Sequence, residues 1–468
     1  MRLRPLLPLL LLAAACGEAS DLPASDAGPL PDSGAPPDAG TPDSGPPDSG
    51  PLPCILDGVP DRLEVSAGGR LIFTPTAPNS AAPPGISGPE GWRITPSGAE
   101  IRVRVPYGVE GSFEVEVVAE CEGTRTTARI AVEVRPLRFE AAPTWQPGVT
   151  GPSAREHTLL FLDPNDPDRL FLFGGYDYLP RQFTLVTDFW AYNLANSTWS
   201  TYSSTGAPDR AGGRLAFIGE SGEAVVSGGA YQNGEAVMAF DRLHFAGDRA
   251  VFTPMTVSGT VGAEPSQLGS LIWDAPRQRM ISACGVATQS VHCEIGALDP
   301  VAGTYQLLEP NNDRQDRPSP RYGYFAAHDL ENDRLVLFAG AQIPRFSDPV
   351  NAADDTWALL LHETPVRWVK LLDADPNVPG RRNGCSAFDP IGQRFFIWGG
   401  TDDARTTQRG LFALDLEQGH EGWTKVELPP GRPERSSCTA IYDPARHRIL
   451  FGFGNDDDIY ADFAVLSL

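Results

Sequence analysis

Lysine is nearly absent from this chain: Lys370 and Lys425 are the only two in 468 residues, and the other basic residues are arginines. Acidic residues outnumber basic ones, 60 to 37, for a formal charge of −23. That balance argues against a basic face to lie along phosphates, and so against nucleic acid as a partner. Histidine is scarce, and none of the seven stands at H-x-x-x-H spacing from another. No C-x-x-C pair occurs, so the usual zinc patterns are missing. A phosphate-binding loop and a G-x-S-x-G elbow are missing too, and no cofactor or metal is implied. The abundant element is turn chemistry. Gly 48 and Pro 45 make up about a fifth of the chain, which argues against long helices and for many short strands.

The first residues carry an address. Arg2 and Arg4 precede a short apolar run, Leu6 to Ala15, too short to span a bilayer but suited to a signal peptide. The run ends Leu12-Ala13-Ala14-Ala15-Cys16 and resembles a bacterial lipobox, with its Leu four residues before the cysteine rather than the usual three. The resemblance implies cleavage before Cys16 and lipidation of its thiol. The protein would then sit in the bacterial cell envelope, anchored to the outer membrane and facing either the periplasm or the surface. Two or three acyl chains anchor stably where one does not. Residues 21–53 repeat Pro-Asp-Ser-Gly and Pro-Asp-Ala-Gly, with six Asp, no basic residue and no aromatic. Such a segment cannot bury enough surface to offset its ordering entropy, so it reads as a disordered tether. At ~3.1 Å per residue it reaches up to roughly 100 Å from the membrane.

From residue 54 the pattern changes to alternation. Ile101, Val103 and Val105, then Phe113, Val115 and Val117, then Ile130, Val132 and Val134 each recur at every second position. That is the period of half-buried strands. Six or seven such strands in residues 54–137 resemble an immunoglobulin-like β-sandwich.

Internal repeats organise the remainder. Apolar runs ending in Gly-Gly or a variant stand at Leu170–Gly175, Ala224–Gly229, Ile281–Gly285, Val336–Gly340, Phe396–Gly400 and Leu450–Gly454, 54 to 60 residues apart. Five are preceded by an Asp, a turn and an Arg: Asp163/Arg169, Asp274/Arg279, Asp329/Arg334, Asp389/Arg394 and Asp443/Arg448. A third apolar segment and a fourth with Trp199, Trp368 or Trp423 follow several of them. This pattern resembles the kelch repeat, whose blades are four-stranded antiparallel sheets with a diglycine ending the second strand. The resemblance covers residues 138–468 and implies a six-bladed β-propeller. The sixth repeat stops at its third strand, so the segment Phe139 to Trp145 is expected to supply the fourth and close the ring. The whole chain then reads as all-β: signal peptide 1–15, lipid-anchored linker 16–53, immunoglobulin-like domain 54–137 and propeller 138–468.

Beyond Cys16, six cysteines remain in an oxidising compartment. Cys54 and Cys121 share the small domain. Cys284 and Cys293 flank a hairpin of the third repeat. Cys385 and Cys438 lie near the first strands of adjacent repeats. These three pairs are the expected disulfides.

Eight residues before the turn Asp, four repeats carry an arginine, namely Arg155, Arg321, Arg381 and Arg435. The second repeat has Arg210 at the equivalent position, and the third has Ser266. In a propeller this position opens each innermost strand beside the channel mouth. Loops between second and third strands add Tyr176, Tyr178, Arg345 and Asp402 on the same face. An arginine ring with aromatic loops suits an anionic group of a protein or glycan partner, through bidentate contacts. The competing reading pairs each Arg with a structural carboxylate of a neighbouring blade. The functional expectation is a cell-envelope binding protein acting through its loop face. The alternative is an extracytoplasmic kelch enzyme on a small sugar, like a mutarotase or an oxidase. Glu156 is the candidate acid for that alternative, but its neighbour Arg155 would point to the opposite face of the strand. No catalytic set emerges from these residues.

Overall fold

The computed structural model describes residues 54–468, apart from 141–142, 180–181, 238, 260–266, 288–289, 311, 314–315, 343–350 and 428–433. The Cys16 anchor, the tether, Arg345, Ser266 and the side chain of Tyr178 lie outside the described residues.

Strand is the dominant element, and no α-helix occurs among the described residues. The first seven strands form two sheets. Arg62–Ser66, Thr124–Arg135, Gly111–Cys121 and Gly85–Ser87 make the first, and Arg70–Phe73, Glu100–Arg104 and Arg93–Ser97 the second. The alternation seen in sequence sorts their faces. Val103, Val115, Val117, Ile130, Val132 and Val134 are all buried in one cluster. Cys54 is bonded to Cys121 across this part.

Six antiparallel ladders of four strands follow in series, the second and third each extended by a short parallel strand, Ser203–Thr205 and Ser258–Gly259. The first is Leu159–Asp163, Asp166–Leu179, Gln182–Asn193 and Thr198–Thr201. The second runs from Arg214–Phe217 to Arg249–Pro254, and the third from Ser270–Asp274 to Thr304–Leu308. The fourth runs from Phe325–Asp329 to Arg367–Leu372, and the fifth from Cys385–Asp389 to Gly422–Val426. The sixth is Thr439–Asp443, Arg448–Gly452 and Phe463–Ser467, completed by Arg138–Glu140 from far upstream. That upstream strand is shorter than the sequence suggested. It ends at Glu140, and Trp145 lies beyond it, stacked among Trp199, Phe453 and Phe463 at 5.5–6.0 Å.

The centre of the second strand of each ladder is apolar because both its faces are covered. In the first ladder, Phe171 and Phe173 pack on Val226 and Leu243 of the second. Leu170 and Leu172, pointing the other way, pack on Leu450, Phe453 and Phe463 of the sixth. The remaining neighbours share clusters in the same manner. The recurring turn Asp and Arg pair with each other within their ladder: Asp274 with Arg279 at 2.9 Å, Asp329 with Arg334 at 2.8 Å, Asp389 with Arg394 at 2.6 Å. Cys284–Cys293 and Cys385–Cys438 are both disulfides, the second joining the fifth and sixth ladders.

The N-terminal sheets are held to the fourth and fifth ladders by charge. Arg70 makes a bidentate pair with Glu331 at 3.0 and 2.8 Å. Arg93 and Arg104 both meet Asp415 at 2.7 Å. Arg394 donates to Ala67 O at 2.9 Å and to Ser66 Oγ at 3.1 Å. Nothing in the sequence marked Arg70, Arg93 and Arg104 apart from others on exposed strands.

Candidate functional site

The arginines at the start of each repeat are inside the protein. Arg155, Arg321 and Arg381 have no exposed surface, and Arg210 and Arg435 almost none. Four of the five meet a carboxylate from the third strand of their own ladder or the residue just before it. Arg155 pairs with Asp188, its Nη2 donating to Oδ2 at 2.9 Å. Arg210 pairs with Asp241 and Arg435 with Asp462. Arg321 donates to Asp355 Oδ1 at 2.6 Å and Oδ2 at 3.3 Å. The partner thus comes from the same ladder and not from a neighbouring one.

Arg381 differs. Its Nε donates to Pro379 O at 3.1 Å and its Nη1 to Gly399 O at 3.3 Å. Its Nη2 is buried with no partner among the described residues, and its guanidinium lies 4.7 Å from the centre of the Phe412 ring. Ladder register explains the missing acid. Asp188, Asp355 and Asp462 each precede the residue paired with the end of the second strand, and the fifth ladder has Gly410 there. Burial without a counter-charge pushes Arg381 down to about 10. In the third ladder, where Ser266 replaces the arginine, Glu294 occupies this position and meets His292 Nδ1 at 2.8 Å.

Two residues after each arginine position lies a feature that sequence reasoning missed. His157, Gly212, Leu268, Gly323, Asn383 and Ser437 all have positive φ, between 51° and 69°. Their amides run from one ladder to the next. His157 N donates to Ser437 O at 3.0 Å, Gly212 N to His157 O at 2.9 Å, Gly323 N to Leu268 O at 2.9 Å, and Asn383 N to Gly323 O at 2.7 Å. Ser437 N donates to Asn383 O. This chain of bonds explains the diglycines. The second Gly of each pair has φ from 82° to 134°. A Cβ on Gly175, Gly229, Gly400 or Gly454 would come within 2.3–2.7 Å of the carbonyl just before the positive-φ residue. The first position of the pair is less demanding and holds Cys284, Ala339 or Phe453 in three ladders.

Tyr176 and Tyr178 lie within the second strand of the first ladder, Asp166–Leu179, and not in a loop as the repeat pattern suggested, because that hairpin stays paired to its tip. Tyr176 donates its hydroxyl to Tyr231 O at 3.0 Å in the second ladder. Asp402 accepts from Thr406 N at 2.9 Å and Gln408 Nε2 at 2.8 Å, closing its own loop. Thr407 Oγ1 donates to Asp456 at 2.6 Å, linking that loop to the next. Glu156 is buried and accepts from Asn455 Nδ2. With no cation beside it, burial raises its carboxyl to about 7.

Two cavities stand out. A cleft of about 1110 Å³ opens between the fifth and sixth ladders, lined by Arg382, Arg405, Arg409, Lys425, Asp456 and Asp457 among others. Arg405 and Arg409 are exposed, and their guanidinia have no ion pair among the described residues. A second cavity of about 620 Å³ is lined by the first strands of all six ladders. None of the five repeat-start arginines lines either one. A scan against protein-family models finds no family that matches this chain.

Proposed function

We propose that this protein is a lipid-anchored cell-envelope binding protein, with an immunoglobulin-like spacer and a six-bladed kelch-type propeller that engages a protein or glycan partner through its loop face. The six-ladder series, the return of Arg138–Glu140 to the sixth ladder and the head-to-tail amide bonds support the propeller reading. The observation that carries the binding reading is the cleft between the fifth and sixth ladders. In so acidic a chain it gathers four cationic side chains, two of them exposed and unpaired. Glu427, Glu434, Asp456 and Asp457 line the same cleft and balance its charge, but the free guanidinia of Arg405 and Arg409 can take an acidic group by bidentate contacts. This moves the anion-binding role from the buried repeat-start arginines to Arg405 and Arg409. The test is a glycan and peptide array probed with the purified chain, then Arg405→Ala with Arg409→Ala on any hit. Loss of binding with unchanged melting supports the reading, and an array without acidic hits refutes it. Anchoring is tested separately: Cys16→Ser should shift the protein from membranes to the soluble fraction.

One observation favours the enzyme alternative, namely Glu156 with a carboxyl raised to about 7, suited to proton transfer near neutrality. Mutarotation of small sugars followed by NMR, comparing wild type with Glu156→Gln, tests it. No acceleration by the wild type removes it.

A further inference from the structure

Among the residues lining the 620 Å³ cavity there is no aspartate or glutamate and one arginine, Arg214. Arg214 opens the first strand of the second ladder. The corresponding strand starts carry Leu159, Ser270, Phe325, Cys385 and Thr439, all uncharged. The second ladder alone therefore brings a fixed charge to the cavity.

Its guanidinium is clamped on one side. Nε donates to Gly269 O at 2.7 Å, and Nη1 to Gly213 O at 2.8 Å and Gly212 O at 3.3 Å. These bonds bridge the second and third ladders, where no amide bond from Leu268 to Gly212 completes the head-to-tail series among the described residues. Nη2 has no partner among the described residues, and the side chain keeps partial exposure on the cavity wall. The orientation is thus set by carbonyls, with one donor edge left over.

The surroundings do not supply an anion. The hydroxyl of Tyr324 is engaged with Ser270 Oγ at 2.8 Å and with Ala283 O. Burial and then the charge of Arg214 push His157 down to about 4, so its ring stays neutral at ordinary pH. Carbonyl dipoles soften the cost of a buried cation but do not cancel its charge, and a desolvated cation without a counter-charge is expensive. A cavity of several hundred Å³ with one charged group and a mixed apolar and hydroxyl wall has the form of a small-molecule site.

We propose that this cavity binds a small organic carboxylate, with Arg214 as its counter-charge. The site is separate from the cleft between the fifth and sixth ladders, and neither proposal depends on the other. The guanidinium donates from Nη2 to the carboxylate, while Thr439 lines the cavity as a hydroxyl partner for the rest of the ligand.

The test is calorimetric titration of the mature full-length chain with acetate, benzoate and glucuronate. Each is paired with a neutral counterpart of similar shape: acetamide, benzamide and glucose. At least one carboxylate should bind, its neutral counterpart about tenfold or more weaker, since a hydrogen bond to a charged group is lost. Arg214→Gln should weaken that carboxylate by a similar factor. Because Arg214 also bridges two ladders, Arg214→Lys serves as the second variant, keeping the charge and retaining more of the affinity than Gln. If none of the three carboxylates binds, if a neutral counterpart binds equally well, or if the Arg214 variants bind like wild type, the proposal is overturned.

Discussion

Arg321 and Arg381 occupy the same position in adjacent repeats and are equally buried, yet replacing them should have opposite consequences. Arg321→Met strands Asp355, whose carboxylate would keep only the bond from Trp357 Nε1 at 2.7 Å. Removing one member of a buried ion pair costs ~3–5 kcal/mol. Arg381→Met strands no charge. It forfeits two hydrogen bonds to carbonyls and one contact with an aromatic face, but relieves the burial of an unpaired guanidinium. Those terms nearly cancel, so Arg381→Met should stay within ~1 kcal/mol of wild type or exceed it. Urea unfolding with the disulfides oxidised, compared at constant m, reads both. Acid adds a second check. Burial pushes the Asp355 carboxyl up, but the hydrogen bond and charge of Arg321 outweigh it and hold the group below 3.8. The stability from this pair is therefore present above pH 3.8 and lost as pH falls through the depressed folded value. The penalty of Arg321→Met should shrink in that acid window, while the small effect of Arg381→Met should not. Equal losses for the two variants at neutral pH would refute the reasoning.

Three further outcomes follow from the same geometry. The Glu156 carboxyl lies near 7 in the fold against 4.5 unfolded, so stability declines as pH rises between those values. Glu156→Gln should consequently gain about 3 kcal/mol at pH 8 and little at pH 4, at ~1.4 kcal/mol for each tenfold change in proton affinity, as read by urea midpoints. Gly454→Ala places a Cβ 2.3 Å from Ser436 O at φ +82°, whereas Gly419→Ala meets nothing within 4 Å at φ +79°. Both carry the left-handed strain, so Gly454→Ala should lose more by at least ~2 kcal/mol, and a smaller difference in denaturation would mean the backbone around Ser436 can relax. Replacing Cys54 and Cys121 together by Ser opens a loop of sequence separation 67 and should cost ~4 kcal/mol in the chain-entropy account, measured against wild type with and without reductant.

Local backbone demands were readable along the chain. A diglycine after an apolar run announces a position that only Gly can hold, and its recurrence gave the number and order of the ladders before any contact was known. The cysteine pairs were readable for a similar reason, since each joins positions that the repeat or the small domain already brings near. Charge partnership was not readable. Asp188, Asp355 and Asp462 lie 33, 34 and 27 residues beyond their arginines, on the far side of a hairpin, and nothing local distinguishes them from a solvated loop acid. One sign does stand in the sequence: aligning the third strands puts Gly410 where the first, fourth and sixth ladders have Asp, so Arg381 lacks the acid they supply, although the second ladder has Ala239 there and Arg210 takes Asp241 instead. The docking of Arg70, Arg93 and Arg104 and the clamped guanidinium of Arg214 left no such trace. The first three depend on carboxylates from ladders far along the sequence, and Arg214 on Gly269 O of the next ladder beside its own Gly212 and Gly213 carbonyls. A periodic pattern records which faces a strand must bury, and only the folded backbone decides which carbonyls then converge on a given side chain.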